Sequence, residues 1–252
     1  MNNLSRRRFI TTGLAAAAGV SGLGALAAIA HRYRLVPPDS AGIYGAGATL
    51  TYASLKLLTR HSMAREFSKS QICAKPFANY VDPPKEDYKS LEAGGFIDWR
   101  LIVDGLVDRP ASFSIEDLKR FPKQSNITML QCEEGWSYIA EWAGASLSHV
   151  LKEVGAAPNA TFVVYRSIQP DWWDSIDMSD AVHPQTLLAY EMNGTDLTYG
   201  FGAPLRMRVP RQLGYKSVKY INRLTVTDDI KKFGKGLGSS GTGDGYSWFA
   251  GV

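Results

Sequence analysis

The chain has 252 residues, with two cysteines and 28 basic against 24 acidic residues, a formal charge of +4. Two cysteines are too few for a disulfide scaffold. Three of the cations, Arg6, Arg7 and Arg8, lie in the first 30 residues, which hold no acid, so the remainder carries 25 basic and 24 acidic side chains. That balance lacks the sustained basic excess of a nucleic-acid binder, and no nucleic-acid partner is expected.

In chain order, Ser5-Arg6-Arg7-Arg8-Phe9-Ile10 and the Ala/Gly/Leu-rich run to Ala28-Ile29-Ala30 read as a twin-arginine export signal over residues 1–30. A retained membrane anchor is the alternative, because Thr12 to Ala30 is nearly long enough to span a bilayer. Twin-arginine export carries folded proteins, so it implies the export machinery as a partner, a periplasmic or cell-envelope destination, and a cofactor inserted beforehand. Residues 31–70 read as a Pro/Gly-rich leader followed by a helix over Thr49 to Phe67, on the spacing of Leu50, Leu55, Leu57, Leu58 and Phe67. Two prolines in Val81-Asp82-Pro83-Pro84 predict an extended loop.

The main domain is assigned to residues 71–252, its compact part beginning near Phe96. A strand is expected over Trp99 to Val103, ending in the Asp104-Gly105 turn. Short helices follow at Ser114 to Arg120, opened by a capping pattern, and at Ser146 to Val154, closed by Gly155. Thr161 to Tyr165 and Leu188 to Met192 read as strands, with Asn193-Gly194 marking a hairpin after the second. Short helices between non-repeating strands predict a mixed α+β domain with an N-terminal helical extension.

An apolar, strand-like run from Ile127 delivers Cys132 to the turn Glu133-Glu134-Gly135-Trp136-Ser137. A thiol so placed is a ligand, a nucleophile or inert, and its surroundings favour ligation of a metal cofactor. As a nucleophile it needs a base, for which His149 and His183 are candidates. Pairing with Cys73 is the third possibility. The segment Gly202 to Lys219 is cationic: Arg206 and Arg208 share one face of an extended chain, and Gly214 lets the backbone turn before Lys216 and Lys219. With Arg211 these groups can converge on one anion, to which the Arg fork offers two hydrogen bonds and Lys a point charge. A solvated strand face gives the same pattern. Trp136, Trp142 and Trp248 are expected in packing, whereas Trp172 and Trp173, adjacent in a Pro/Asp-rich loop, are candidates for a pocket wall.

Four segments, Cys132-Glu-Glu-Gly-Trp-Ser137, Gly202-Ala-Pro-Leu-Arg206, Leu213-Gly-Tyr-Lys-Ser-Val-Lys219 and Gly245-Tyr-Ser-Trp-Phe-Ala-Gly251, resemble the molybdopterin-binding domain of the sulfite oxidase family. The resemblance implies a mixed-sheet α+β fold and a molybdenum-molybdopterin cofactor. It implies oxygen-atom transfer to or from a small sulfur-centred substrate, by S-oxide reduction or sulfite-type oxidation. It places the molybdenum-ligating thiolate on Cys132 and a phosphate-holding arginine on Arg206. The rest of the pterin grip falls on Ser217, Val218 and Lys219, and a pterin-contacting asparagine on Asn79. Two positions depart from the family pattern: Phe201 stands where relatives carry His or Asn, and Trp172 where several carry Tyr. With no Cys-x-x-Cys-His motif or cysteine cluster, electrons are expected to pass through a separate carrier, a cytochrome or haem membrane subunit. Two other functions are weighed against this one. They are a cofactor-free envelope binding domain of the same fold, for which Phe201 speaks, and a thiol hydrolase using Cys132. Glu133 and Glu134 would oppose a thiolate, so at least one is expected to face solvent or a cation.

Overall fold

The computed structural model describes residues 28–30, 32–79 and 85–252; the export signal, apart from its last residues, and the Val81–Pro84 loop lie outside the described residues. The described residues build the expected mixed α+β architecture around two sheets. The first contains β1 (Leu101–Gly105), β2 (Ala111–Phe113), β5 (Phe162–Ser167), β6 (Trp173–Asp177) and β10 (Ile221–Thr227), in the order β2-β1-β10-β5-β6. Only β1 and β10 run parallel within it, with Ile102 opposite Arg223. The second sheet orders β3 (Lys123–Gln131), β4 (Ser137–Ser146), β7 (Leu187–Met192) and β8 (Thr195–Asp196), with β9 (Arg206–Arg208) also on β7. Its edge strand β3 alternates in burial from Asn126 to Gln131, with one face on the core and the other not, whereas the central β7 is buried on both faces.

The main core lies between these sheets and the short helices α3 (Ile115–Lys119) and α4 (Leu147–Glu153). Ser114 caps α3 in a reciprocal box with Asp117, and Ser146 caps α4 by accepting from His149 N–H at 3.2 Å. A smaller cluster of Leu130, Tyr138, Trp142, Leu187, Met192 and Ala203 lies on the β3–β4–β7 sheet, where it backs the site described below. Asn193 and Gly194 both take positive φ, 52° and 81°, and close the β7–β8 hairpin as the sequence predicts.

The N-terminal helix α1 (Gly45–Thr59) begins earlier than expected and stops eight residues short of Phe67. Past Thr59 the chain pairs with the edge of β3 instead, through the Glu66–Thr128 bridge and Phe67 N–H to Ile127 C=O at 2.9 Å. Strand pairing satisfies that backbone, so helix is not needed there. Tyr52 fixes α1 to the domain: its hydroxyl donates to Asp177 at 2.7 Å, and its ring meets Trp248 and Phe249 edge-on. Lys56 pairs with the same carboxylate at 2.8 Å. Residues 32–70 are thus packed onto the remainder of the fold through α1 and the pairing with β3.

Candidate active site

Cys132 occupies the turn between β3 and β4. Its N–H donates to Trp136 C=O at 2.9 Å and its C=O accepts from Gly135 N–H at 3.1 Å, with Gly135 at φ 93°. The thiol lies 3.3 Å from a Glu133 oxygen and 3.9 Å from a Glu134 oxygen. Burial pushes the thiol up to about 12, and the hydrogen bond to Glu133 and the charges of both carboxylates push the same way against a backbone hydrogen bond at Glu134. Both glutamates are exposed to solvent, as expected of at least one, yet among the described residues neither is paired with a cation and each keeps an oxygen within 4 Å of the sulfur. Glu134 is engaged instead by the Trp136 indole N–H at 2.9 Å, and Glu133 by the Tyr246 hydroxyl.

The chain from β9 to Lys219 passes against the Cys132 turn, where a Cβ on Gly214 would sit 3.7 Å from the Cys132 Cα. Arg206 Nε donates to Ser217 C=O at 3.0 Å and its Nη1 to Phe201 C=O at 3.3 Å, while the guanidinium lies 5.1 Å from the Trp142 ring centre. Lys219 Nζ donates to Asn79 C=O at 2.8 Å and Gly200 C=O at 2.6 Å. Burial and then the charge of Arg206 lower Lys219 to about 7. Gly202, at φ 102°, is held against Lys219: a Cβ there would sit 2.9 Å from the lysine Cβ. Among the described residues, neither Arg206 nor Lys219 has a carboxylate partner.

These groups line one cavity of about 250 Å³, with Cys132 and the glutamates at one part of its wall and Arg206, Ser217, Val218, Lys219 and Asn79 at another. Trp172, 38 % exposed, joins the wall. The cavity thus gathers most of the residues picked out from sequence. It does not gather Arg208, Arg211, Lys216 or Trp173.

Those four are committed elsewhere. Arg208 is fully buried and donates to Met129 C=O at 2.6 Å, Thr128 Oγ1 at 3.2 Å and Ser217 Oγ at 3.3 Å, bracing the wall from behind. Burial, then Arg206, lowers it to about 9. Arg211 pairs with Asp180 at 3.0 Å and donates to the last carbonyls of α1, Thr59 at 2.6 Å and Arg60 at 3.2 Å. Lys216 is buried against Asp174 and donates to Ser175 C=O at 2.8 Å. Trp173 donates its N–H to Ser240 at 3.1 Å and rests on Gly234.

Alternation along an extended chain does not reveal which cation meets a buried carboxylate, so sequence placed all of them on one anion. Sequence reasoning also passed over Gln169, Phe77 and Tyr246, which line the cavity. Tyr246 stands inside the C-terminal Gly245–Gly251 segment, whose aromatic density was the available signal. Among the described residues no histidine lines the cavity: His149 contacts Phe121, and His183 meets Ser62 C=O at 3.2 Å. The base required by the hydrolase reading is not beside Cys132. Cys73 and Cys132 are both free thiols, so the pairing considered between them is not formed.

Residues 90–233 match the family model described as the oxidoreductase molybdopterin binding domain. A curated relative, the putative protein-methionine-sulfoxide reductase subunit YedZ1 of Azospira oryzae, is 33 % identical over 195 residues, which cover 77 % of this chain and 70 % of that protein. Among solved structures, the sulfane dehydrogenase SoxCD of Paracoccus pantotrophus aligns with a TM-score of 0.50 at 28 % identity. That alignment covers 52 % of this chain and 38 % of the longer one. With the match extending from within α2 (Glu86–Ala93) through β10, and so over the strands of both sheets and the Cys132, Arg206 and Lys219 part of the cavity wall, the chain belongs to the molybdopterin-binding oxidoreductase domain family.

Proposed function

We propose that this chain is an exported molybdopterin oxidoreductase that reduces organic S-oxides, with Cys132 as the protein ligand to molybdenum. The residues present suit that cofactor. Arg206, buried, and Lys219, half-buried, form a cationic pair without carboxylate partners among the described residues; such a pair is costly unless an anion supplies the counter-charge, and a phosphate-bearing ligand does so. A single thiol on the same cavity wall is the soft donor suited to a redox metal. When bound, the cofactor supplies oxygen-atom transfer coupled to a two-electron change at its metal.

The chain's own residues then have separate tasks. Arg206, Lys219 and the Ser217–Val218 backbone hold the phosphate end, and Arg208 keeps Ser217 in place through its hydroxyl. Phe201 serves through its carbonyl, which fixes Arg206, so the loss of a polar side chain there does not disarm the grip. Trp172, Gln169 and Tyr246 wall the cavity around the substrate. The reduction consumes two electrons and two protons and releases water. Glu133, hydrogen-bonded to Tyr246 and beside the thiol, can hold one of those protons at its carboxylate.

Direction is carried by one observation, the two carboxylates within 4 Å of the Cys132 sulfur. Like charge there disfavours a sulfite dianion and leaves a neutral S-oxide unaffected. An open, mostly apolar groove lined by Tyr44, Thr51, Leu213, Tyr246 and Phe249 adjoins the cavity and shares Glu133, Tyr215 and Tyr246 with it. That space suits the flanks of a peptide-borne S-oxide, in keeping with the name of the Azospira relative. The same name marks that relative as a subunit, which supports a separate electron-carrying partner such as a haem membrane subunit. The amino-terminal Arg-Arg-Arg-Phe segment supports folded export to the periplasm.

The test is metal analysis and dye-linked turnover of protein made in a molybdenum-competent host. The expected result is bound molybdenum, S-oxide turnover with a reduced dye, and little sulfite oxidation. Metal-free wild-type protein would sink the cofactor assignment, and sulfite turnover without S-oxide turnover would sink the direction.

A further inference from the structure

The outward face of α1 carries no charge. Leu50, Leu57 and Leu58 are 68 %, 62 % and 81 % exposed, and the exposed positions between them are Thr51 and Ser54. They recur at helical spacing and so form one stripe, which Ile43, 74 % exposed, extends beyond the helix start. The only charged residue in α1, Lys56, is turned inward to Asp177. Buried positions such as Ala48 and Tyr52 already seat the helix, so the stripe is not needed for packing within the chain.

A second observation lies at the end of the same helix. A cavity of about 260 Å³ is lined by Arg32, Arg34, Lys56 and Arg60 against the single carboxylate of Asp177, which Lys56 neutralises. Arg60 follows Leu57 by three residues in helical backbone and therefore lies on the stripe's side. From Arg32 to Arg65 the sequence has five cations and one acid, Asp39, which is buried and accepts from Trp248 N–H at 2.8 Å. Tyr33 and Val36, beside that cavity, are about half exposed.

An uncharged aliphatic stripe ending in a cluster of arginines matches the interface of an anionic bilayer, where acyl chains meet phosphate. We propose that α1 lies on a membrane surface, with Leu50, Leu57 and Leu58 in the acyl boundary and Arg32, Arg34 and Arg60 on a phospholipid phosphate. Continuity along the chain favours lipid over a protein as the occupant: the uncharged apolar run from Thr12 ends at Ala30, two residues before Arg32. No described helix is long and apolar enough to cross a membrane, and α1 acts here as an interfacial element. The inference is independent of the chemistry proposed for Cys132.

Flotation of the full chain with vesicles of phosphatidylcholine alone, or with phosphatidylglycerol added, tests it. Wild type is expected to partition onto the phosphatidylglycerol vesicles. L57E/L58E is expected to lower that partition about tenfold, and R34E/R60E to weaken the preference for phosphatidylglycerol, leaving only the part that Arg6, Arg7 and Arg8 supply in every variant. The amino-terminal apolar run is present in every variant, so its own affinity cancels. L50S/L57S/L58S provides a milder replacement should the double glutamate variant unfold. Equal partition of all variants overturns the proposal. So does competition by millimolar inorganic phosphate that abolishes vesicle binding, which marks a free-anion pocket. Loss in the variants of capture by a membrane subunit, with vesicle binding intact, overturns it in favour of a protein interface.

Discussion

The Cys132 thiol is 3.3 Å from the Glu133 carboxylate, within the range in which S–H donates to oxygen. In the cofactor-free protein that contact, added to burial, keeps the proton on sulfur. A metal must displace this proton to bind, and loading should therefore release it to solvent or to Glu133. In E133Q the acceptor loses its charge and the thiolate is less opposed. Alkylation of Cys132 at pH 8 should speed up by about tenfold in cofactor-free E133Q. An unchanged rate would mean that burial and Glu134 hold the proton without Glu133.

The two cysteines separate by position. Cys73 is half-buried against the cluster that contains Tyr138 and Trp142 and does not line the cavity, whereas Cys132 does. C132S is expected to lose at least about 100-fold in turnover and most of its molybdenum, with little change in the unfolding midpoint. C73S should retain both activity and metal. Equal metal content in wild type and C132S would remove Cys132 from the ligand role.

The path from residues to fold was short wherever a local rule decided. Asn193-Gly194 closed a hairpin, Ser114 capped a helix, and an apolar run brought Cys132 to a turn. The sequence could not show where α1 ends, because Glu66 and Phe67 leave the helix for pairing with β3, some 60 residues away. Nor could it sort the cations between Arg206 and Lys219. Their fates depend on Asp174 and Asp180, carboxylates on other elements that claim Lys216 and Arg211. Arg208 likewise spends its hydrogen bonds on the Met129 carbonyl and Thr128 hydroxyl of β3 and on the Ser217 hydroxyl. Spacing along a chain reports which side chains share a face, and only packing decides which of them meet a buried partner.

Lys219 makes stability depend on pH in a defined direction. Its folded value is near 7, against about 10.4 in an unfolded chain. Between those values the unfolded chain binds the extra proton, so cofactor-free protein should gain stability as pH rises from 7. Above about 8.5 the raised Cys132 thiol contributes the opposite slope, since the folded protein then holds the proton that the unfolded chain releases. The clean window is therefore about pH 7 to 8.5, and K219M should flatten the rise there in denaturant titrations. A bound phosphate group favours the charged lysine, so loaded protein should show less of this rise. A slope unchanged by K219M would mean that Lys219 is already charged throughout.

Lys216, three residues earlier, should behave otherwise. It is fully buried, paired with Asp174 and bonded to Ser175 C=O, beneath the cavity rather than in its wall. Replacing it with Met strands the Asp174 carboxylate in an apolar setting, which costs about 3–5 kcal/mol. K216M should accordingly lower the unfolding free energy by that amount, while the fraction that remains folded still takes up cofactor. If the damage comes from the uncompensated carboxylate, removing it should restore much of the loss, and the double variant D174L/K216M should be far more stable than K216M alone. A double variant no better than K216M would locate the cost in lost packing, and a folded K216M that cannot retain cofactor would return Lys216 to the pterin grip.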